Sequence, residues 1–156
     1  MTYTLPAGKA LCLRTNKEDM TSYGGFQWPE SGIVTAPDWK PTEECGSGLH
    51  GLLWGEGNGE LLNWEPTARW LVVEIDADAA IDLDGKIKFP SCTIIHVGDQ
   101  QSATAFIAQF APAGSKIVGG TATAGVGGTA TAGYRGTATA GVGGTATAGY
   151  RGTATA

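Results

Sequence analysis

Short apolar runs broken by glycine, proline and acidic clusters mark the first hundred residues, and they read as strands. Ala10-Leu11-Cys12-Leu13-Arg14 is the first. Asp19 to Pro29 reads as a turn entering a second extended piece, and Val34 to Trp39 as loop or edge strand, because proline removes a ladder donor. Glu44 to Trp54 joins a glycine-rich turn to an apolar run. Trp70-Leu71-Val72-Val73-Glu74-Ile75 gives the strongest strand signal, followed by Lys86–Phe89 and Thr93–Val97. Ser102 to Phe110 changes period: Phe106, Ile107 and Phe110 fall on one helical face, with Asp99 or Ser102 as N-cap.

Beyond this the pattern becomes a strict alternation. Gly-Thr-Ala-Thr-Ala begins at Gly120, Gly128, Gly136, Gly144 and Gly152. The linkers between copies alternate between Gly-Val-Gly and Gly-Tyr-Arg, so the true period is sixteen residues, two octads. Alternate side chains in a strand point to opposite faces. Eight residues hold one short strand and one turn; sixteen hold two of each and close a flattened coil. The expected structure is a two-sided parallel β-solenoid with rungs about 4.8 Å apart. Burying an unpartnered hydroxyl costs roughly 1–3 kcal/mol, whereas an alanine methyl carries no such cost. The core is therefore assigned to Ala122, Ala124, Ala130, Ala132, Ala138, Ala140, Ala146 and Ala148. The outer ladder is assigned to Thr121, Thr123, Thr129, Thr131, Thr137, Thr139, Thr145 and Thr147. The glycines are expected to supply corners with positive φ. Tyr134, Arg135, Tyr150 and Arg151 form an edge suited to acidic partners.

The expected fold is mainly β. A small α+β N-terminal domain (one helix) over residues 1–114 and a linker over 115–119 precede the octapeptide-repeat solenoid over 120–156. The N-terminal domain is expected to cap and nucleate the coil, whose other end is expected to self-associate.

Charge separates the same two parts. All 15 acidic residues lie between Glu18 and Asp99, while three of the 10 basic residues, Lys116, Arg135 and Arg151, lie in the tail. An acidic domain argues against nucleic-acid binding, which needs clustered Lys and Arg. No apolar run approaches the ~18 residues of a membrane span, and the first residues lack the pattern of a signal peptide. Three cysteines, an odd count, point to reduced thiols and a cytoplasmic location.

Candidate chemistry is sparse. Cys45 and His50, with Cys92 and His96, make two Cys/His pairs of the type that hold zinc, at spacings looser than a zinc finger. Trp28, Trp39, Trp54, Trp64 and Trp70 supply either core or a ligand groove. Gly55 to Gly59 lacks the Lys-Ser/Thr of a phosphate loop. Asp76, Asp78, Asp82 and Asp84 lack the glycine and glutamate of a calcium loop. No cofactor is expected.

Arg14-Thr15, Asp19-Met20-Thr21, Gly25-Phe26-Gln27, Cys45-Gly46-Ser47-Gly48-Leu49-His50, Val73-Glu74 and Gly85-Lys86-Ile87-Lys88 together resemble a phage and bacterial family of unknown function. In it a domain of about 110 residues precedes octads rich in Ala, Thr and Gly. The resemblance implies modular architecture and no activity. A fainter likeness, a Gly-Leu-His element and a later strand glutamate, resembles ADP-ribosyl-transferring folds and implies Arg14, His50 and Glu74 as catalytic candidates.

The leading functional expectation is a non-enzymatic structural or interaction protein whose solenoid serves as spacer, binding surface or assembly element. Virion association accompanies the phage resemblance. The alternatives are a small enzyme or ligand-binding domain with a solenoid tail, and an ice- or surface-binding threonine ladder.

Overall fold

A computed structural model describes residues 2–156. Seven strands build the N-terminal sheet: β1 (Lys9–Asn16), β2 (Gly32–Thr35), β3 (Leu49–Leu53), β4 (Arg69–Asp76), β5 (Ile81–Asp82), β6 (Ile87–Phe89) and β7 (Ser91–Gly98). Their order is β2-β7-β4-β1-β3-β6-β5, and every pairing is antiparallel. The central strands β1 and β4 are apolar on both faces because both are covered. Ala10, Cys12, Leu71, Val73 and Ile75 face one core, closed by Met20, Trp28, Val34 and Phe89. Leu11, Leu13, Trp70 and Val72 face the other, closed by the helix α1 (Gln100–Ala108) through Ala103 and Ile107. An extra residue in β7 shifts the register opposite Val72 and Val73.

Helix α1 starts two residues before the apolar pattern suggests, because a capping box extends it. The Asp99 carboxylate accepts from the Ser102 backbone N–H at 2.8 Å, and the Ser102 hydroxyl accepts from the Asp99 N–H at 3.1 Å. Asp19–Pro29 is not a strand. It holds a 3-10 turn at Tyr23–Gly25 and a single bridge, Thr21 to Gln27, since positive φ at Gly24 and Gly25 breaks extension. Val34 does lie in an edge strand, β2.

The tail forms five short strands: β8 (Thr121–Ala124), β9 (Thr129–Thr131), β10 (Thr137–Ala140), β11 (Thr145–Thr147) and β12 (Thr153–Thr155). Odd and even octads stack separately. β8, β10 and β12 pair in parallel, Thr137 beside Thr121 and Thr153; β9 and β11 pair likewise, Thr145 beside Thr129. Partners are always one sixteen-residue period apart. Ala130, Ala132 and Ala138 are buried between the stacks, with Ala122, Ala124, Ala146 and Ala148 packed against them.

Among the glycines of residues 120–156 only Gly127 and Gly143 take positive φ; Arg135 and Arg151 take it in the other octads. Most of the remaining repeat glycines, Gly125 excepted, have a different cause. A Cβ on Gly136 would lie 2.8 Å from both the Ala132 methyl and the Gly120 carbonyl oxygen, and Gly152 meets Ala148 and Gly136 at the same distance. Glycine at these positions lets segments one sixteen-residue period apart stack closely.

The tail is joined to the sheet by backbone and aromatic contacts. Val118 N–H donates to Gly55 O at 2.8 Å, and Gly133 N–H to Ile117 O at 3.0 Å. Tyr134 packs on Trp64 at 5.8 Å between centroids, Trp64 on Trp70 at 5.1 Å, and the Arg135 guanidinium lies 4.8 Å over Trp64. Among the described residues no helix is long and apolar enough to cross a membrane.

Candidate functional site

The most regular surface is the threonine face. Thr121, Thr137 and Thr153 form one file, and Thr123, Thr139 and Thr155 a second, all exposed. The second stack repeats this with Thr129 beside Thr145 and Thr131 beside Thr147; Thr131 is half-buried. Strand geometry places threonines about 6.7 Å apart along a strand and about 4.8 Å apart between strands. The second spacing exceeds a hydroxyl–hydroxyl hydrogen bond, so each file offers its hydroxyls to water. The array is a rectangular net of hydroxyl and methyl groups held by backbone ladders. Val126 and Val142, both 82% exposed, form an apolar rim at one corner.

The second surface is a groove of about 700 Å³ beside the ends of β1 and β3. The half-buried Arg14 lies in it, its guanidinium 3.9 Å over the Trp28 ring. Arg14 donates to His50 O at 2.9 Å and to Asn16 Oδ1 at 2.7 Å, while its buried Nε has no partner. Burial pushes this guanidinium down to about 10, still charged at neutral pH. Burial lowers the His50 imidazole to about 4, and the neighbouring Lys86, Arg14 and Lys88 add to this while Asp38 opposes it. His50 is therefore neutral, and its Nε2 accepts from Gly46 N–H at 3.3 Å.

Glu74 does not join this pair. It is registered with Leu11, on the helix-covered face, while Arg14 shares the opposite face with Cys12. The Glu74 carboxylate accepts instead from the Tyr3 hydroxyl at 2.5 Å. The ADP-ribosyl-transfer arrangement expected of Arg14, His50 and Glu74 is not assembled.

The four zinc candidates are also separated. Cys45 and His50 belong to the β3 side, Cys92 and His96 to β7, and β1 and β4 lie between. Three strand spacings put the pairs about 14 Å apart. Cys92 is buried, which pushes its thiol up to about 12, and the His96 Nε2 sits 2.9 Å from the Ser102 hydroxyl. Cys45 is exposed; the Lys86 ammonium donates to its sulfur at 3.0 Å and lowers the thiol from its ordinary value. Among the described residues no group of three or more His, Cys, Asp or Glu side chains is placed to hold a metal.

The five tryptophans do not share a groove. Trp28 belongs to one core and Trp70 to the other, and Trp64 carries the contact with Tyr134. Lys17, Lys86 and Asp38, which line the groove, escaped the sequence reading. Glu18 beside Lys17 and Asp82 four residues before Lys86 give both lysines local carboxylates in the sequence, so no charge pattern singles them out.

The family described as a domain of unknown function, DUF7666, matches residues 10–108. An ice nucleation protein of Pantoea ananas, InaU, is 46% identical over 101 residues, 64% of this chain and 10% of its own length. One of Enterobacter agglomerans is 46% identical over 101 residues, 64% of this chain and 8% of its own. One of Pseudomonas syringae is 43% identical over 101 residues, 64% of this chain and 9% of its own. The chain therefore spans a tenth or less of the length of the curated relatives it matches. The repeat occupies only Gly120 to Ala156, so most of the 101 matched residues lie before it. No solved structure matches the chain.

These relatives overturn the cytoplasmic location expected from cysteine count. They are named ice nucleation proteins of Pantoea, Enterobacter and Pseudomonas, and the cytoplasmic assignment is withdrawn. Cys12 and Cys92 are unpaired because they pack as small core residues, which does not report a compartment. The phage connection finds no support among the relatives.

Proposed function

The chain belongs to the DUF7666 domain family, and we propose that it presents an ordered threonine surface that binds ice. On this reading residues 120–156 form a two-sided parallel β-solenoid of sixteen-residue coils, joined through 115–119 to an N-terminal domain, residues 1–114, that caps the first coil. The observation that carries it is the register of the exposed files Thr121, Thr137, Thr153 and Thr123, Thr139, Thr155. A hydroxyl fixes a water by hydrogen bonding, and the methyl beside it keeps that water from disordered alternatives. Repetition at two fixed spacings turns single ordered waters into a sheet that ice can extend.

The relatives' names support this reading: they nucleate ice, a physical process that needs no catalytic triad. The likeness itself lies mostly before the repeat. It supports the domain as the carrier of such a surface, and the ladder geometry supports the surface. Nucleation improves with the area of ordered water. Three rungs on one stack and two on the other make a small binding face, and side-by-side association of copies would enlarge it.

The test is partition of a labelled chain into a slowly growing ice crystal. The parent enters the ice. Thr137→Lys with Thr139→Lys, which breaks the central rung of both files, stays in the liquid while its circular dichroism is unchanged. A parent excluded from ice like an unrelated protein of the same size would end the proposal.

A further inference from the structure

The N-terminal domain keeps an uncompensated positive site within an acidic surface. Two of its cations are paired with carboxylates: Lys9 with Asp76, and Arg69 with Glu30 at 2.9 Å. Arg14, Lys17 and Lys86 instead line the 700 Å³ groove, and among the described residues none of the three has a carboxylate within ion-pair distance. Lys88, fully buried behind it, donates to Glu44 O at 3.0 Å, Gly46 O at 3.4 Å and Thr42 Oγ1 at 3.3 Å, all neutral. Asp38 is the one carboxylate lining the groove. Burying charge among neutral acceptors is costly, and an anion in the groove offsets part of that cost.

The walls are apolar and flat. Tyr23, fully exposed, stands with Phe26, Trp28 and Leu61 around the cations. The volume suits a small molecule.

We propose that this groove binds a small aromatic anion, its charged head between Arg14, Lys17 and Lys86 and its ring against Tyr23 and Phe26, with Trp28 buried behind Arg14. Arg14 supplies a fixed donor because Trp28, His50 O and Asn16 hold it in place. Lys17 and Lys86 close on the head from the rim. The site lies apart from the threonine ladder, so it stands whether or not the chain binds ice.

Phenyl phosphate is the probe, titrated into the full chain at low salt. The readout is the Trp28 indole N–H resonance, whose donor bond to Ser22 Oγ at 3.1 Å lies in the groove wall. The expected result is a saturable shift. It weakens about tenfold in the double variant Lys17→Gln, Lys86→Gln, and weakens on raising salt. Both substitutions are away from the cores, and matching thermal midpoints establish that the variant is folded. Inorganic phosphate and benzyl alcohol, each carrying half of the chemistry, are expected to bind more weakly. The proposal is overturned by no saturable shift at millimolar phenyl phosphate, or by equal affinity in the double variant. Benzyl alcohol binding as tightly would remove the role of charge, and inorganic phosphate binding as tightly would remove the role of the ring; either overturns it.

Discussion

Arg135 and Arg151 occupy the left-handed corner that Gly127 and Gly143 occupy in the alternate octads, with φ of 52° and 57°. A non-glycine residue in that conformation costs roughly 1 kcal/mol or more. Arg135 offsets the cost because its guanidinium lies over Trp64; Arg151 lies only over the exposed Tyr150. Arg151→Gly is therefore expected to raise the urea midpoint of the tail. Arg135→Gly is expected to lower stability by up to about 1 kcal/mol, because the lost stacking outweighs the relieved strain. Equal shifts in the two variants would refute the role given to Trp64. His50 contributes to the pH dependence of the domain, in the same direction as His96, whose imidazole is also lowered by burial. The His50 folded value of about 4 lies below the ordinary 6.5. The unfolded chain therefore binds the extra proton first as pH falls. The stabilisation is complete above 6.5 and is lost as pH drops from there through 4. For a half-exposed ring screened by solvent it amounts to about 1–2 kcal/mol. Urea unfolding at pH 7 and pH 4.5 measures it, and His50→Gln is expected to flatten that slope. An unchanged slope in the variant would assign it elsewhere.

At the scale of elements, two kinds of close fit hold the chain. The first is the cap of α1. The Ser102 backbone N–H holds the Asp99 carboxyl below its ordinary 3.8. A depressed folded value gives stability that is present above 3.8 and lost as pH falls below it. Asp99→Ala is expected to lower the thermal midpoint at pH 7, and the gap from the parent is expected to close on acidification. The second is the closure of one coil on the next. Gly136→Ala would place a methyl 2.8 Å from the Gly120 carbonyl oxygen, an overpacking expected to cost about 1–3 kcal/mol. Loss of parallel-strand signal in the tail, with the N-terminal amides unchanged, is the measurement.

Much of this was legible in the sequence. The runs at Leu11–Leu13 and Trp70–Ile75 marked the two central strands, and the alternating octads gave the sixteen-residue pairing seen between Thr121 and Thr137. What escaped was decided by distant residues. The turn within Asp19–Pro29 was legible, but no local pattern announces that the extended piece after it makes only one bridge, or that β5, two residues long, pairs with β6. Register alone separates Arg14 from Glu74, since odd and even positions on paired strands face opposite ways. The groove was invisible for the same reason: Lys17 and Lys86 come to line one cavity only after the sheet is assembled.

For the whole molecule, the antiparallel sheet and the parallel stacks are joined by one seam, in which Tyr134 fits against Gly59 so tightly that a Cβ there would lie 2.1 Å from its ring. That seam holds Tyr134 against the sheet, and the parallel ladders keep β8, β10 and β12, and β9 and β11, in register. Ordered threonines follow from strands held in that register, and the proposed ice binding depends on their number. Its most direct measurement is the freezing temperature of supercooled droplets containing the chain with two, four and eight further sixteen-residue coils. The account predicts that freezing temperature rises with each addition, and that the rise disappears when the added coils carry lysine at the Thr137- and Thr139-equivalent positions. A freezing temperature independent of coil number, or one that rises equally with the lysine coils, would contradict it.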